Sequence, residues 1–309
     1  MSSHLLSTGA DEIAQLAAHR YCLVVVKDGT IIHETYYHNT SSSIYESDSL
    51  GKTITAAVIA AAVEAGLVNL DTPIEQLGVP SNLANWSVSG VDYFGEVTLR
   101  HLLAQSSGFG TVRPGTEMTY DSSAYIQHIS YALGAALRGA KGAQWSSALD
   151  FASRQLAAAL GLPDLYAYDK VGEDFSAGGG QMISCRDMAR VSQLILNRGK
   201  WRDGAGEGYQ LGSAKVMEQL LQPAFPGAVD GYGLLTWLNT NMSAPTEDGR
   251  PRSHCCGPRW VGREHSAKKC TASGTCGYCC EPANGCVGGA EFEWLVARRG
   301  ARMLAGAHS

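Results

Sequence analysis

A serine and a lysine three positions apart, in Ser49-Leu50-Gly51-Lys52, stand at the head of a long apolar run. That run (Ile54, Ala56, Ala57, Val58, Ile59, Ala60, Ala61, Ala62, Val63) has no Gly or Pro before Gly66, which predicts a helix. Ser49 then falls at the helix N-terminus, with Lys52 one turn on and on the same face. The positive end of the helix dipole would reach the Ser49 hydroxyl. A lysine held against that hydroxyl, when neutral, can take its proton, which is the arrangement an activated serine nucleophile needs. The pattern is short, however. It recurs as Ser266-Ala267-Lys268-Lys269, and serines at helix N-caps followed by exposed lysines are common. The weight of Ser49 therefore depends on the elements around it.

Upstream, residues 9–20 have helical spacing, with Ile13, Leu16 and Ala17 on one face. Tyr21 to Val26 is a β-branched run, Lys27-Asp28-Gly29 supplies a turn, and Thr30 to Tyr37 is a second run. Two such runs about Asp-Gly predict an antiparallel hairpin. From 54 to 225 the pattern is mostly helical. Helices are expected at Thr98 to Leu103, Ser123 to Leu137, Ser146 to Leu160, Arg186 to Asn197 and Ser213 to Gln222. Tyr232 to Leu238 reads as a strand, and Glu291 to Ala297 as a last strand or helical turn. There is no internal repeat. The expected class is α+β: an antiparallel sheet flanked by helices, plus a mostly helical lobe.

The chain has 309 residues, enough for one large domain or two lobes with an ample core. A hydrophobic fraction of 45% with 17% charged residues is a globular composition. A net charge of -5 argues against a general nucleic-acid binder. No window approaches 20 apolar residues, so no membrane span is expected. Met1 to Leu6 lacks the regions of a signal peptide, and as given the chain reads as cytosolic.

The segments, in order, resemble the serine β-lactamases of class C, the D-alanyl-D-alanine carboxypeptidases and the related esterases. The Ser-x-x-Lys signature is shared by that group. Glu64-Ala65-Gly66-Leu67-Val68-Asn69-Leu70-Asp71-Thr72-Pro73-Ile74 is similar to the helix end and Leu-Asp-x-Pro turn of the family. Val97 to Phe109 resembles its Thr-Ile-Arg-His-Leu-Leu segment ending in Ser-Gly, and Pro114-Gly115 leading to Tyr120 and Ser122 resembles Pro-Gly-x4-Tyr-x-Asn. Ser176 to Gly180 with Arg186 to Arg190, and Tyr232-Gly233-Leu234, match further blocks. The resemblance covers roughly 10–240. It implies that Ser49 is the acylated nucleophile, Lys52 its proton acceptor and Tyr120 a phenol that shuttles protons, its phenolate favoured by the lysine's charge. Taken alone, Tyr120 would read as a buried core tyrosine.

Two departures follow. Ser122 stands where the family carries an asparagine that holds the acyl amide of the substrate. Its hydroxyl is shorter, which turns the expectation away from β-lactam or peptide substrates and towards esters. The third family motif, Lys-Thr-Gly or His-x-Gly, has no clear copy. Thr271-Ala272-Ser273-Gly274-Thr275 is the nearest, and His265-Ser266-Ala267 is poorer. That strand should supply one oxyanion-hole amide and Ser49 the other, and losing one such donor costs roughly 100- to 1000-fold in turnover.

Of nine cysteines, only Cys22 and Cys185 precede position 250, and the other seven lie between Cys255 and Cys286. This break divides the chain into 9–240 and a Cys- and Gly-rich 241–309, with the sheet lobe built from 9–48 and 230–240 onward and the helical lobe from 49–229. The cluster has three readings. Cys276-x-x-Cys279 could be half of a zinc site, completed by other thiolates or His254. The cysteines could form a disulfide knot, given an oxidising compartment. The tail could also have no selected structure. Nothing supports a catalytic metal, and no cofactor is implied. The expected partner is a small-molecule ester or amide, with no nucleic acid and no membrane. The alternative to a serine hydrolase is a catalytically inactive binding or scaffold protein of the same fold.

Overall fold

The computed structural model describes residues 3–16, 20–37, 39–120, 126–140, 144–162, 165–166, 170–171, 173–202, 204, 206–238 and 291–297. Helix α1 (Ser3–Leu16) leads into the hairpin β1 (Arg20–Lys27) and β2 (Thr30–Tyr36). The turn is made by Asp28 and Gly29, both at positive φ, as the Asp-Gly signal requires. The short β3 (Ile44–Glu46) and a 3-10 turn (Asp48–Leu50) deliver the chain to α2 (Gly51–Glu64). Next come β4 (Ser87–Val88), β5 (Val91–Asp92), α3 (Leu99–Leu103) and α4 (His128–Gly139). Helix α5 (Ala148–Phe151), a π-helical segment (Ala152–Ala157) and α6 (Ala158–Leu160) are contiguous. Then follow β6 (Lys170–Val171), β7 (Asp174–Phe175), β8 (Met182–Ser184), α7 (Cys185–Leu196), β9 (Lys200–Trp201), β10 (Tyr209–Gln210), α8 (Ala214–Gln219) and β11 (Glu291–Ala297).

The main core is organised around α2. Every residue from Gly51 to Ala62 is buried, and the helix is apolar almost all round. It packs against the π-helical segment, α7 and α8. Small alanines allow that close approach, while Ile54, Val58 and Ile59 fill the space between helices. A second, smaller cluster lies between the sheet and α7, where Cys22, Val24 and Val26 of β1 meet Cys185 and Ala189. Alternate residues of β1, Leu23 and Val25, face the other way, towards Ala10 of α1. Strand β1 is therefore covered on both faces, which accounts for its unbroken apolar run.

Strand β11 pairs with β1 in parallel, from Arg20 opposite Glu291 to Lys27 opposite Ala297, giving the order β11-β1-β2. A strand from beyond residue 240 thus does join the N-terminal hairpin. Several boundaries differ from the sequence reading. Helix α1 starts at Ser3 rather than at Gly9. Tyr232 to Leu238 forms no strand: Tyr232 and Trp237 make an isolated bridge across a tight turn, with Leu235 at positive φ. Leu235 N–H instead donates to the Leu103 carbonyl at 2.8 Å, so this stretch is pinned to the end of α3. The helix expected from Ser123 begins, in the described residues, at His128. The cysteines from Cys255 to Cys286 and the third-motif candidates at 265–275 lie outside the described residues.

Candidate functional site

The turn that carries Ser49 is tight. Asp48 has φ +44°, a left-handed conformation that aspartate tolerates better than most residues. It converts the end of β3 into the 3-10 turn in two residues, and α2 follows at once. Ser49 therefore sits at the entrance of a helix whose residues Gly51 to Ala62 are all buried. Gly51 has no room for a side chain, since an added Cβ would lie 1.7 Å from Gln181 Oε1 and 2.7 Å from the Gly179 Cα.

Lys52 is only 2% exposed. A buried lysine is rare unless it is partnered, because removing an ammonium from water costs several kcal/mol. Here the partners converge. Lys52 Nζ donates to Ser49 Oγ at 3.1 Å and to the Gly178 carbonyl at 2.9 Å. It also stands over the Tyr120 ring, 4.7 Å from the centroid. The three side chains singled out from the sequence, Ser49, Lys52 and Tyr120, thus meet in one place.

Tyr120 is held by its surroundings. The preceding Thr119 N–H donates to the Gln105 carbonyl at 2.9 Å. Its ring stacks on Trp237, with centroids 5.6 Å apart, and meets Tyr232 edge-on at 6.5 Å. Gln105 has φ +52° and also donates from Nε2 to the Tyr232 phenol oxygen at 2.7 Å. Tyr232 is completely enclosed, and that burial, with the repulsion two neighbouring phenolates would feel between Tyr232 and Tyr120, pushes its phenol well above the ordinary tyrosine range, against the opposing Gln105 bond.

Ser122 lies outside the described residues. Gln105, Gly178, Gln181 and Trp237 were given no role from the sequence. Gly178 belongs to the quoted Ser176–Gly180 block, and its run of glycines was the one available hint of a close backbone approach. For Gln105 and Gln181 no local signal existed. Among the described residues no cluster of His, Cys, Asp and Glu could hold a metal ion, and no helix is long and apolar enough to cross a membrane.

The β-lactamase family profile matches residues 12–262. No curated protein matches the sequence. Among solved structures, a candidate β-lactamase from Bacteroides dorei DSM 17855 is similar over 79% of this chain and 81% of its own, with TM-score 0.59 and 19% identity. A penicillin-binding protein from Bacillus halodurans is similar over 77% of this chain and 83% of its own, at TM-score 0.52 and 14% identity. The D-alanine carboxypeptidase AmpC from Burkholderia cenocepacia is similar over 70% of this chain and 69% of its own, at TM-score 0.51 and 18% identity. Identities this low speak to the fold alone. The family match, which spans most of the sequence from just inside α1 onwards, shows that the chain belongs to the β-lactamase family.

Proposed function

We propose that the protein is a serine hydrolase that works through an acyl-enzyme on Ser49. The observation that carries this reading is the buried Lys52, whose Nζ lies 3.1 Å from Ser49 Oγ beside the Tyr120 ring. A nucleophile, a base within hydrogen-bond reach and an aromatic hydroxyl residue at the same point are the parts acyl transfer requires. Lys52, as the neutral amine, accepts the Ser49 proton as the hydroxyl attacks an ester, amide or β-lactam carbonyl, and Tyr120 relays that proton to the leaving group as the carbonyl–leaving-group bond breaks. The Ser49 N–H supplies one oxyanion donor. With serine rather than asparagine at position 122, esters are the favoured substrates. The unit that performs this chemistry is 9–240, with any third-motif donor supplied from beyond it.

Ser49→Ala is expected to abolish both hydrolysis of p-nitrophenyl esters or nitrocefin and covalent labelling by a fluorophosphonate. Lys52→Met is expected to lower kcat by about 100- to 10,000-fold, the usual weight of a general base. Tyr120→Phe keeps the ring under Lys52 but removes the phenol, and a fall in kcat of similar order is expected. Full activity in Ser49→Ala removes Ser49 as nucleophile. A folded wild-type protein that takes no label and hydrolyses none of these substrates is instead the inert binding protein of this fold.

A further inference from the structure

The segment from Ser176 to Met182 runs antiparallel to the segment that carries Ser49, and the contacts between them form a continuous series. Met182 is paired with Glu46 in the β8–β3 ladder. One residue further on, the Gln181 carbonyl accepts the Ser47 N–H at 2.8 Å. Gly179, at φ +138°, passes so close to the Asp48 carbonyl that a Cβ there would lie 1.8 Å from its oxygen. The Gly178 carbonyl takes Lys52 Nζ at 2.9 Å, and the Ala177 carbonyl takes Thr55 Oγ1 at 3.0 Å. The glycine loop is thus the surface on which the lysine rests.

The side chain that fastens this series is Gln181, which is fully buried. Its Oε1 accepts from Ser47 Oγ at 3.1 Å, and its Nε2 donates to the Ser176 carbonyl at 2.7 Å. One amide therefore ties the residue two before the nucleophile to the start of the glycine loop. It also fills the space beside Gly51. A buried glutamine with its amide engaged at both ends is costly to leave unsatisfied, so this geometry is strongly specified.

We propose that Gln181 is a positioning residue: its amide clamps the glycine loop onto the Ser49 turn, so that the Gly178 carbonyl presents Lys52 Nζ to Ser49. The catalytic consequence rests on the hydrolase reading above, whereas the positioning itself does not. Gln181→Met keeps the length and loses both bonds. In that variant fluorophosphonate labelling of Ser49 is expected to slow about 10-fold or more, since small misplacements of reacting groups carry large rate costs. KM for a p-nitrophenyl ester should stay within about two-fold, because Gln181 is fully buried and exposes no surface to a substrate. The acid limb of the labelling rate against pH should move, since Lys52 loses a fixed acceptor. Gln181→Glu, which keeps the acceptor for Ser47, should restore part of the rate. Circular dichroism at the assay temperature confirms that each variant is folded.

A second readout needs no activity. In protein labelled with 13Cε-lysine, the Lys52 resonance, identified by its loss in Lys52→Arg, should shift in Gln181→Met. A folded Gln181→Met with an unmoved Lys52 resonance overturns the proposal, and so does a slower rate with an unchanged pH profile. If the resonance moves but wild-type Ser49 takes no label, the positioning stands and the hydrolase reading falls.

Discussion

At the residue scale, the site rests on glycines that leave no room for a side chain, Gly51 as well as Gly179. Gly51 lies between Ser49 and Lys52, and the nearest atoms to an added Cβ are Gln181 Oε1, the Gly179 Cα and Ser47 Oγ at 2.8 Å. The Gln181 amide could swing away, but the Gly179 backbone cannot. Gly51→Ala is therefore expected to push the glycine loop off the Ser49 turn. Overpacking of this kind costs typically 1–3 kcal/mol, which urea unfolding would measure. The larger effect should be on Ser49 labelling, because the displaced loop carries the carbonyl that receives Lys52. A variant labelled at the wild-type rate would show that the loop does not set the lysine. Ser49 and Lys52 were legible through the Ser-x-x-Lys spacing at the head of an apolar run, whereas Tyr120, which alone reads as a core tyrosine, was picked out only through the family resemblance. Gln105 and Gln181 were not, since their partners Tyr232 and Ser47 are 127 and 134 residues away along the chain. A buried amide acquires its meaning only once the fold has placed something against both of its ends.

At the scale of elements, α2 was readable because a long apolar run free of Gly and Pro predicts a buried helix, and α7 was expected over Arg186 to Asn197. Helix α2 is apolar almost all round, and in the structure the Ser184 side chain caps α7 by accepting from the Asp187 N–H. The stretch 232–238 misled because its aromatic and β-branched residues fit a strand, while tertiary contacts to α3 and Tyr120 bend it into a turn. Helix α3 is only five residues long and depends on its capping box. There, Thr98 accepts from the His101 N–H, and His101 Nδ1 accepts the Thr98 N–H at 3.1 Å. The ring also stacks on Phe225 at 4.8 Å. Burial and then the Arg100 guanidinium, opposed by Asp71 and Glu96, bring the His101 imidazole down from 6.5 to about 4. The native state thus holds fewer protons than the unfolded chain between those values, so stability rises with pH across that window. The contribution is complete above about pH 6.5 and is lost as pH falls through about 4. Urea midpoints measured from pH 7 to pH 4 should fall in the wild type and fall less in His101→Gln. Thr98→Ala should cost about 1 kcal/mol at pH 7, the usual value of an N-cap. A wild-type midpoint flat across the window would mean that His101 titrates normally.

At the scale of the whole molecule, the question is what holds the three-stranded sheet to the helices that surround α2. Among the described residues, an ion pair and a disulfide cross from the hairpin to α7. Arg186 pairs with Glu34 through both its Nε and Nη2, and this holds the Glu34 carboxyl below its usual range. That pair is partly exposed, and exposed ion pairs contribute about 1 kcal/mol or less. The other tie is a disulfide between Cys22 of β1 and Cys185 at the start of α7, across 163 residues of sequence. Both sulfurs lie in the apolar cluster under the sheet. Closing so long a loop restricts the unfolded chain, and removing such a bond typically costs 2–5 kcal/mol. The covalent tie therefore outweighs the ionic one. Replacing both cysteines by alanine should lower unfolding free energy by about that amount, while Arg186→Ala should change it by about 1 kcal/mol or less. Because Cys185 follows directly on β8, whose partner β3 leads into the Ser49 turn, the double variant should also lose Ser49 labelling on mild heating before the wild type does. Disulfides are rare in cytosolic proteins, so purification without reductant is part of the experiment. Alkylation of the unreduced protein followed by peptide mass mapping tests the bond itself, and finding Cys22 and Cys185 both alkylated would mean that no covalent tie joins β1 to α7.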